Sequence, residues 1–325
     1  MVHPSGGQHV ISWEDQEATI VGVGGGLRHY EADGRQVLDG YGPDEMCPDA
    51  RGQALVPWPG RLRDGRYRFR GQVHQLPLSE PERANAIHGL VRWSSWAPGR
   101  REPAALTMVH RLHPQPGYPF LLDLGLTYRL SDEGLRAEFL VENRGTTAAP
   151  LGVGQRPCLL PLAGRLDDTV LEVPAQSYLA ADGRGIPSGR RPVAGGRLDF
   201  RAPRRLGELA LDAVFTDLER DRDGTCSVRL RAGGRSLRVW MDERFACVLV
   251  CTGDTLPPSR RRRSLAVEPM TCPPNALASG EDVAVLEPGE RWAAAWGIQL
   301  TPLHRARGAA SNVIPLTAGP GPDGP

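Results

Sequence analysis

A chain of 325 residues with 40% hydrophobic and 24% charged residues has an ordinary globular make-up, with room for one large β domain or two smaller ones. Its 39 basic and 38 acidic residues leave a formal net charge of +1, which offers nothing for binding nucleic acid or an anionic membrane through bulk charge. Every one of those basic residues is arginine, so a lysine Schiff base and a phosphate-loop lysine are excluded.

The N-terminus, Met1 to Gly7, has neither a charged leader nor an apolar run, and no later run is long enough for a membrane helix; a cytoplasmic protein is expected. The dominant apolar period is two. Residues 18–23 and 27–30 alternate in this way, and Leu122 to Leu130 alternate again. Ser131-Asp132-Glu133-Gly134 then reads as a turn into Leu135–Glu142, which makes a hairpin. Val228 and Leu230 alternate with arginines, turn at Ala232-Gly233-Gly234, and resume at Leu237, Val239 and Met241. Residues 282–286 and 292–300, either side of Glu287-Pro288-Gly289-Glu290, suggest a third hairpin. With 39 Gly and 30 Pro and no clean helical stripe, the expected fold class is all-β, a large antiparallel sandwich or barrel. One domain over residues 1–300 and a disordered Gly/Pro tail over 301–325 are expected.

Six cysteines are scattered without a Cys-x-x-Cys pair or metal-ligand spacing. On one strand Cys247 and Cys251 would stand about 13 Å apart, too far for a disulfide, so buried thiols are expected.

Four stretches hold candidate chemistry. Leu55 to Arg61 puts Arg61 after a rigid aromatic loop, where it could donate hydrogen bonds to hydroxyls. His88, followed by Gly89 and near Trp93 and Trp96, suits a sugar site in which aromatic faces meet a pyranose. Asp212 could accept hydrogen bonds from a ligand. Glu268 sits among Val, Pro and Met where an apolar strand enters a Pro-rich loop, a setting that raises a carboxyl toward a useful general base. Taken alone, each also fits an ordinary loop or surface residue. The Arg260–Arg263 run fits a solvated face.

Together these segments resemble the aldose 1-epimerase family, particularly its bacterial branch. The matching stretches fall in family order: residues 40–71, ANAIHGLVRW (84–93), LHPQPGYPF (112–120), GRGIPSG (183–189), 211–224, VCTGD (250–254), 262–282, LEPGE (286–290) and WGI (296–298). The resemblance implies a β-supersandwich. It also implies a reaction in which a Glu takes the anomeric hydroxyl proton while a His protonates the ring oxygen, so that the ring opens and recloses as the other anomer. Glu268 matches the base and His88 the first active-site histidine; Arg61 and Asp212 match hydroxyl-binding positions. A small sugar substrate is implied, with no cofactor, metal, nucleic acid or membrane partner; monomer and homodimer both stay open.

Three positions depart from the pattern, one of them Cys158 in the slot of an aromatic residue. Gly152-Val153-Gly154-Gln155-Arg156-Pro157-Cys158 carries Arg156 in the slot of the second histidine, and Gly60 stands where an Asn usually precedes the arginine. A guanidinium stays protonated up to about pH 12, so it is a poor acid at neutral pH. Three outcomes are open: a slow or specialised mutarotase, with Arg156 and Gln155 binding substrate; an enzyme for a phosphorylated or acidic sugar or a natural-product hemiacetal; or a non-catalytic carbohydrate-binding protein.

Overall fold

Strand alternation along the chain resolves into two large antiparallel sheets in the computed structural model, which describes residues 2–302. Of the tail expected over 301–325, Thr301 and Pro302 belong instead to the strand Arg291–Pro302, and residues 303–325 lie outside the described residues. The nine-stranded sheet runs in the order Ala97–Glu102, Ala105–Leu112, Leu122–Ser131, Gly134–Asn143, Arg291–Pro302, Arg235–Met241, Cys226–Ala232, Val170–Glu172, Arg204–Arg205. Its centre is the first expected hairpin, in register from Leu122 opposite Asn143 to Ser131 opposite Gly134. The second expected hairpin pairs Cys226–Ala232 with Arg235–Met241. In both, the apolar positions of the alternation are buried, and the polar ones carry ion pairs such as Arg111–Asp123 on the open face.

The third hairpin does not form as expected. Its turn closes, with Glu290 N–H donating to the Glu287 carbonyl at 2.9 Å, but the flanking strands part. Arg291–Pro302 pairs with Gly134–Asn143 over residues 291–298 and with Arg235–Met241 over 296–302, and Ala284–Leu286 joins neither edge. That strand pairs with Ala149–Leu151 instead.

The second large sheet runs in the order Pro187–Pro192, Ala175–Ala181, Asp212–Leu218, Cys247–Cys251, Leu265–Met270, Gly154–Gln155, Ala54–Leu55; Cys158–Leu159 also pairs with Leu265–Met270. One face of this sheet points inward. Phe215, Val248, Val250, Leu265 and Val267 join one buried cluster with Leu124, Phe139, Val239 and Trp296 of the nine-stranded sheet. Each fully buried side chain of this kind stabilises the sandwich by about 1.5–3 kcal/mol over its exposed state. The opposite face carries the intervening residues Leu179, Val214, Leu249 and Glu268, which the pairings align in one row across four strands. The first residues described form a smaller four-stranded sheet, Gln8–Trp13 to Arg35–Gln36.

All six cysteines are free thiols, five buried and Cys251 half-buried. Among the described residues no helix is long and apolar enough to cross a membrane. The arginine run lies on the surface, where Arg260, Arg262 and Arg263 pair with carboxylates of Glu45, Asp167, Asp254 and Asp39.

Candidate active site

Register determines what faces Glu268. Gly154 lies opposite Met270 and Cys158 opposite Ala266, so the residue between them, Arg156, falls across from Glu268. The sequence suggests a strand end for Glu268, yet it lies inside Leu265–Met270, with Leu249 as its partner on the other side. Pro269, which has no N–H, is accommodated next to it.

The Glu268 carboxylate is fully buried. Arg156 Nη1 donates to its Oε2 at 2.9 Å, and His88 Nδ1 stands 3.9 Å from its Oε1. Oε1 and Arg156 Nε are both buried without a hydrogen-bond partner among the described residues, an unmet acceptor and an unmet donor at one spot. Burial pushes the Glu268 carboxyl above its usual range; Arg156 pulls the other way and offsets only part of this. For Arg156, burial alone would lower the pKa, but the charge of Glu268 reverses this and holds the guanidinium firmly protonated.

His88 follows the strand Asn85–Ile87, which pairs with Arg61–Arg63. It adopts a left-handed conformation (φ 62°), and so does Gly89 (φ 73°). At Gly89 a Cβ would lie 2.0 Å from the Val56 carbonyl oxygen, so glycine is required for the loop to close over that strand. His88 N–H donates to the Gly60 carbonyl at 2.9 Å, and Gly60 N–H donates back to His88 Nδ1 at 3.2 Å. Nδ1 is therefore an acceptor and the ring proton sits on Nε2. Burial, then the charges of Arg156, Arg92 and Arg61, lower the His88 pKa well below 6.5, so the ring is neutral at pH 7.

These groups stand at a cleft of about 350 Å³, within the roughly 300–1,000 Å³ of small-molecule sites. His88, Arg156, Arg61 and Asp212 all line it, and Leu179, Val214 and Leu249 give it an apolar floor. Arg61 is not free. Its Nε donates to Glu80 Oε2 at 2.8 Å and its Nη2 to Oε1 at 2.9 Å, while Asn85 Nδ2 also donates to Glu80. Asp212, opposite Cys251, is exposed and makes no ion pair among the described residues.

Gln155 is not in the cleft. Strand alternation turns it to the other face, where it is fully buried. Its Nε2 donates to the Gly52 carbonyl and the Tyr128 hydroxyl, and its Oε1 accepts from Trp296 Nε1 at 3.0 Å. The tryptophans expected to face a sugar do not line the cleft either. Trp96 is buried and stacks on His110, while Trp93 is exposed. Two cleft residues were missed in the sequence: Glu80, hidden in a polar loop, and Arg92, masked by its tryptophan neighbour.

A profile of the Aldose 1-epimerase family matches residues 9–299. The uncharacterised protein YihR of Escherichia coli K12 is 33% identical over 290 residues, covering 89% of this chain and 92% of its own. A GalM/aldose epimerase homologue from C. elegans superposes with a TM-score of 0.81 at 16% identity, covering 92% of this chain and 99% of that one. A galactose 1-epimerase from Lactobacillus acidophilus does so with 0.76 at 19% identity, covering 92% and 99%. With the β-sandwich architecture and all but the outermost few residues of the described sheet framework inside the matched span, the chain belongs to the aldose 1-epimerase family.

Proposed function

We propose that the protein catalyses the interconversion of the α and β anomers of an aldose at this cleft. The observation that supports this best is the convergence of Glu268, His88 and Arg156 at one point, with the Glu268 Oε1 lone pairs unengaged.

In this reading, Glu268 Oε1 takes the proton of the anomeric hydroxyl. The O–H electrons form the aldehyde C=O, and the bond from C1 to the ring oxygen breaks with its electron pair left on that oxygen. A neutral His88 is a weak proton donor, so its Nε2–H serves as a hydrogen-bond donor to the substrate, and water supplies the proton that the ring oxygen gains, the hydroxide so formed taking that proton back when the ring recloses. The guanidinium of Arg156, in a water-poor site, stabilises the negative charge that develops. Rotation about C1–C2 and the reverse steps give the other anomer, and the proton on Glu268 is returned. Asp212 accepts hydrogen bonds from sugar hydroxyls, and Arg61, fixed by Glu80, donates to them.

Polarimetry on freshly dissolved α-glucose and α-galactose, extended to acidic aldoses, tests the reading. Relaxation faster than the spontaneous rate is expected. Tight sugar binding without acceleration of any of these would make the protein a carbohydrate-binding module instead.

A further inference from the structure

Three arginines line the cleft, and they differ in what answers their charge. Arg61 is paired with Glu80 and Arg156 with Glu268. Arg92 makes no ion pair and no side-chain hydrogen bond among the described residues; its guanidinium only rests 5.7 Å from the centre of the Trp93 ring. The counter-charge of Arg156 is thus already supplied from within the protein, by Glu268.

We infer that Arg92 grips an anionic substituent of the sugar, so that the preferred substrate class is a carboxylated or phosphorylated aldose; this rests on the epimerase reading of the same cleft. A half-buried guanidinium with no counter-charge is costly, and a ligand oxyanion relieves that cost where a hydroxyl cannot. Its planar fork of donors matches the paired oxygens of carboxylate and phosphate. The charges acting on Arg92 fit the same picture. Burial lowers its pKa, Glu268 and Cys47 favour the cation, and Arg156 opposes it. Of the exposed carboxylates that line the cleft, neither Asp49 nor Asp212 forms an ion pair with Arg92.

Locked-ring glycosides separate binding from catalysis, because they cannot open. Calorimetry on the full chain would compare methyl α-glucoside, methyl α-glucuronoside and methyl α-glucoside 6-phosphate. The charged ligands are expected to bind about 10- to 100-fold more tightly, with the gain shrinking as salt is added. In Arg92→Gln that ratio should fall toward one, and Arg92→Lys, which keeps the charge but not the fork, should retain part of it. The better of the two charged ligands tells carboxylate from phosphate. Equal binding of charged and neutral glycosides by the wild type would overturn the inference, and so would a ratio that survives in Arg92→Gln. Anomer exchange of glucuronate and glucose 6-phosphate reads the epimerase separately. Charge-dependent binding without exchange upholds Arg92 and ends the epimerase reading; exchange with no charge preference does the reverse.

Discussion

Arg156 stands across the sheet from Glu268, with Nη1 and Oε2 2.9 Å apart, so an obligate cation occupies the place where the family pattern sets a histidine. The register dictates this contact, because it sets position 156 across from Glu268. Removing the guanidinium in Arg156→Ala leaves a buried carboxylate alone. Glu268 should then hold its proton to higher pH, and the acid limb of the activity profile should move up. Stability should fall by about 3 kcal/mol at neutral pH and by less at acid pH, where the carboxyl is neutral. Urea melts at two pH values and a pH–rate profile check both.

His88 makes the fold sensitive to acid. Its folded-state pKa lies well below 6.5, so the unfolded chain takes up a proton that the folded chain refuses. The stability is fully present above pH 6.5 and is lost as pH falls below it, by about 1 kcal/mol between pH 7 and 5.5. Glu268, raised in the folded state, works in the opposite sense, favouring the fold below about pH 4.5 and losing that contribution as pH rises through its folded value. Half-buried His9 and His110 and buried His74 are lowered as well, so the His88 share is the difference in slope between wild type and His88→Asn. The variant should show the shallower slope.

Gln155 should behave as a structural residue. Gln155→Ala deprives the Trp296 indole N–H, the Tyr128 hydroxyl and the Gly52 carbonyl of a buried partner. A loss of about 3 kcal/mol in stability is expected, with KM for the sugar unchanged. A raised KM at unaltered stability would return Gln155 to the binding site.

Gly60 explains its own departure from the family asparagine. Its φ is 68°, and a Cβ there would lie 2.8 Å from Cγ of Pro274. Asparagine tolerates the left-handed region, but not the proline ring. Gly60→Asn should cost about 1–3 kcal/mol and shift the N–H that holds His88 Nδ1, lowering activity as well as melting temperature.

Much of this fold is legible in the sequence because a half-buried strand writes its burial as a period of two. The hairpin of Leu122–Ser131 with Gly134–Asn143 is an example. The stretch around Glu287-Pro288-Gly289-Glu290 looks the same but is not a hairpin, because turn chemistry does not say which partners the flanking strands take: Ala284–Leu286 pairs with Ala149–Leu151 and Arg291–Pro302 with Gly134–Asn143 and Arg235–Met241. The site divides in a similar way. His88, Arg61 and Asp212 are marked by their setting and line the cleft, while Glu268, marked in the same way, is buried behind that lining, 3.9 Å from His88. Gln155, expected to bind substrate beside Arg156, is buried on the other face, because adjacent residues of a strand face opposite ways. Arg92 escaped notice because a lone arginine gains meaning only when its missing counter-charge is visible, and that is a property of the packed cleft.

The most direct test is the rate of glucose anomer exchange, followed by NMR saturation transfer, in wild type and Glu268→Gln. With Glu268 as the base, wild type should exceed the spontaneous rate, and the variant should lose about 10²- to 10⁴-fold of that acceleration while remaining folded. Acceleration that persists undiminished in the folded Glu268→Gln variant would contradict the assignment of the base.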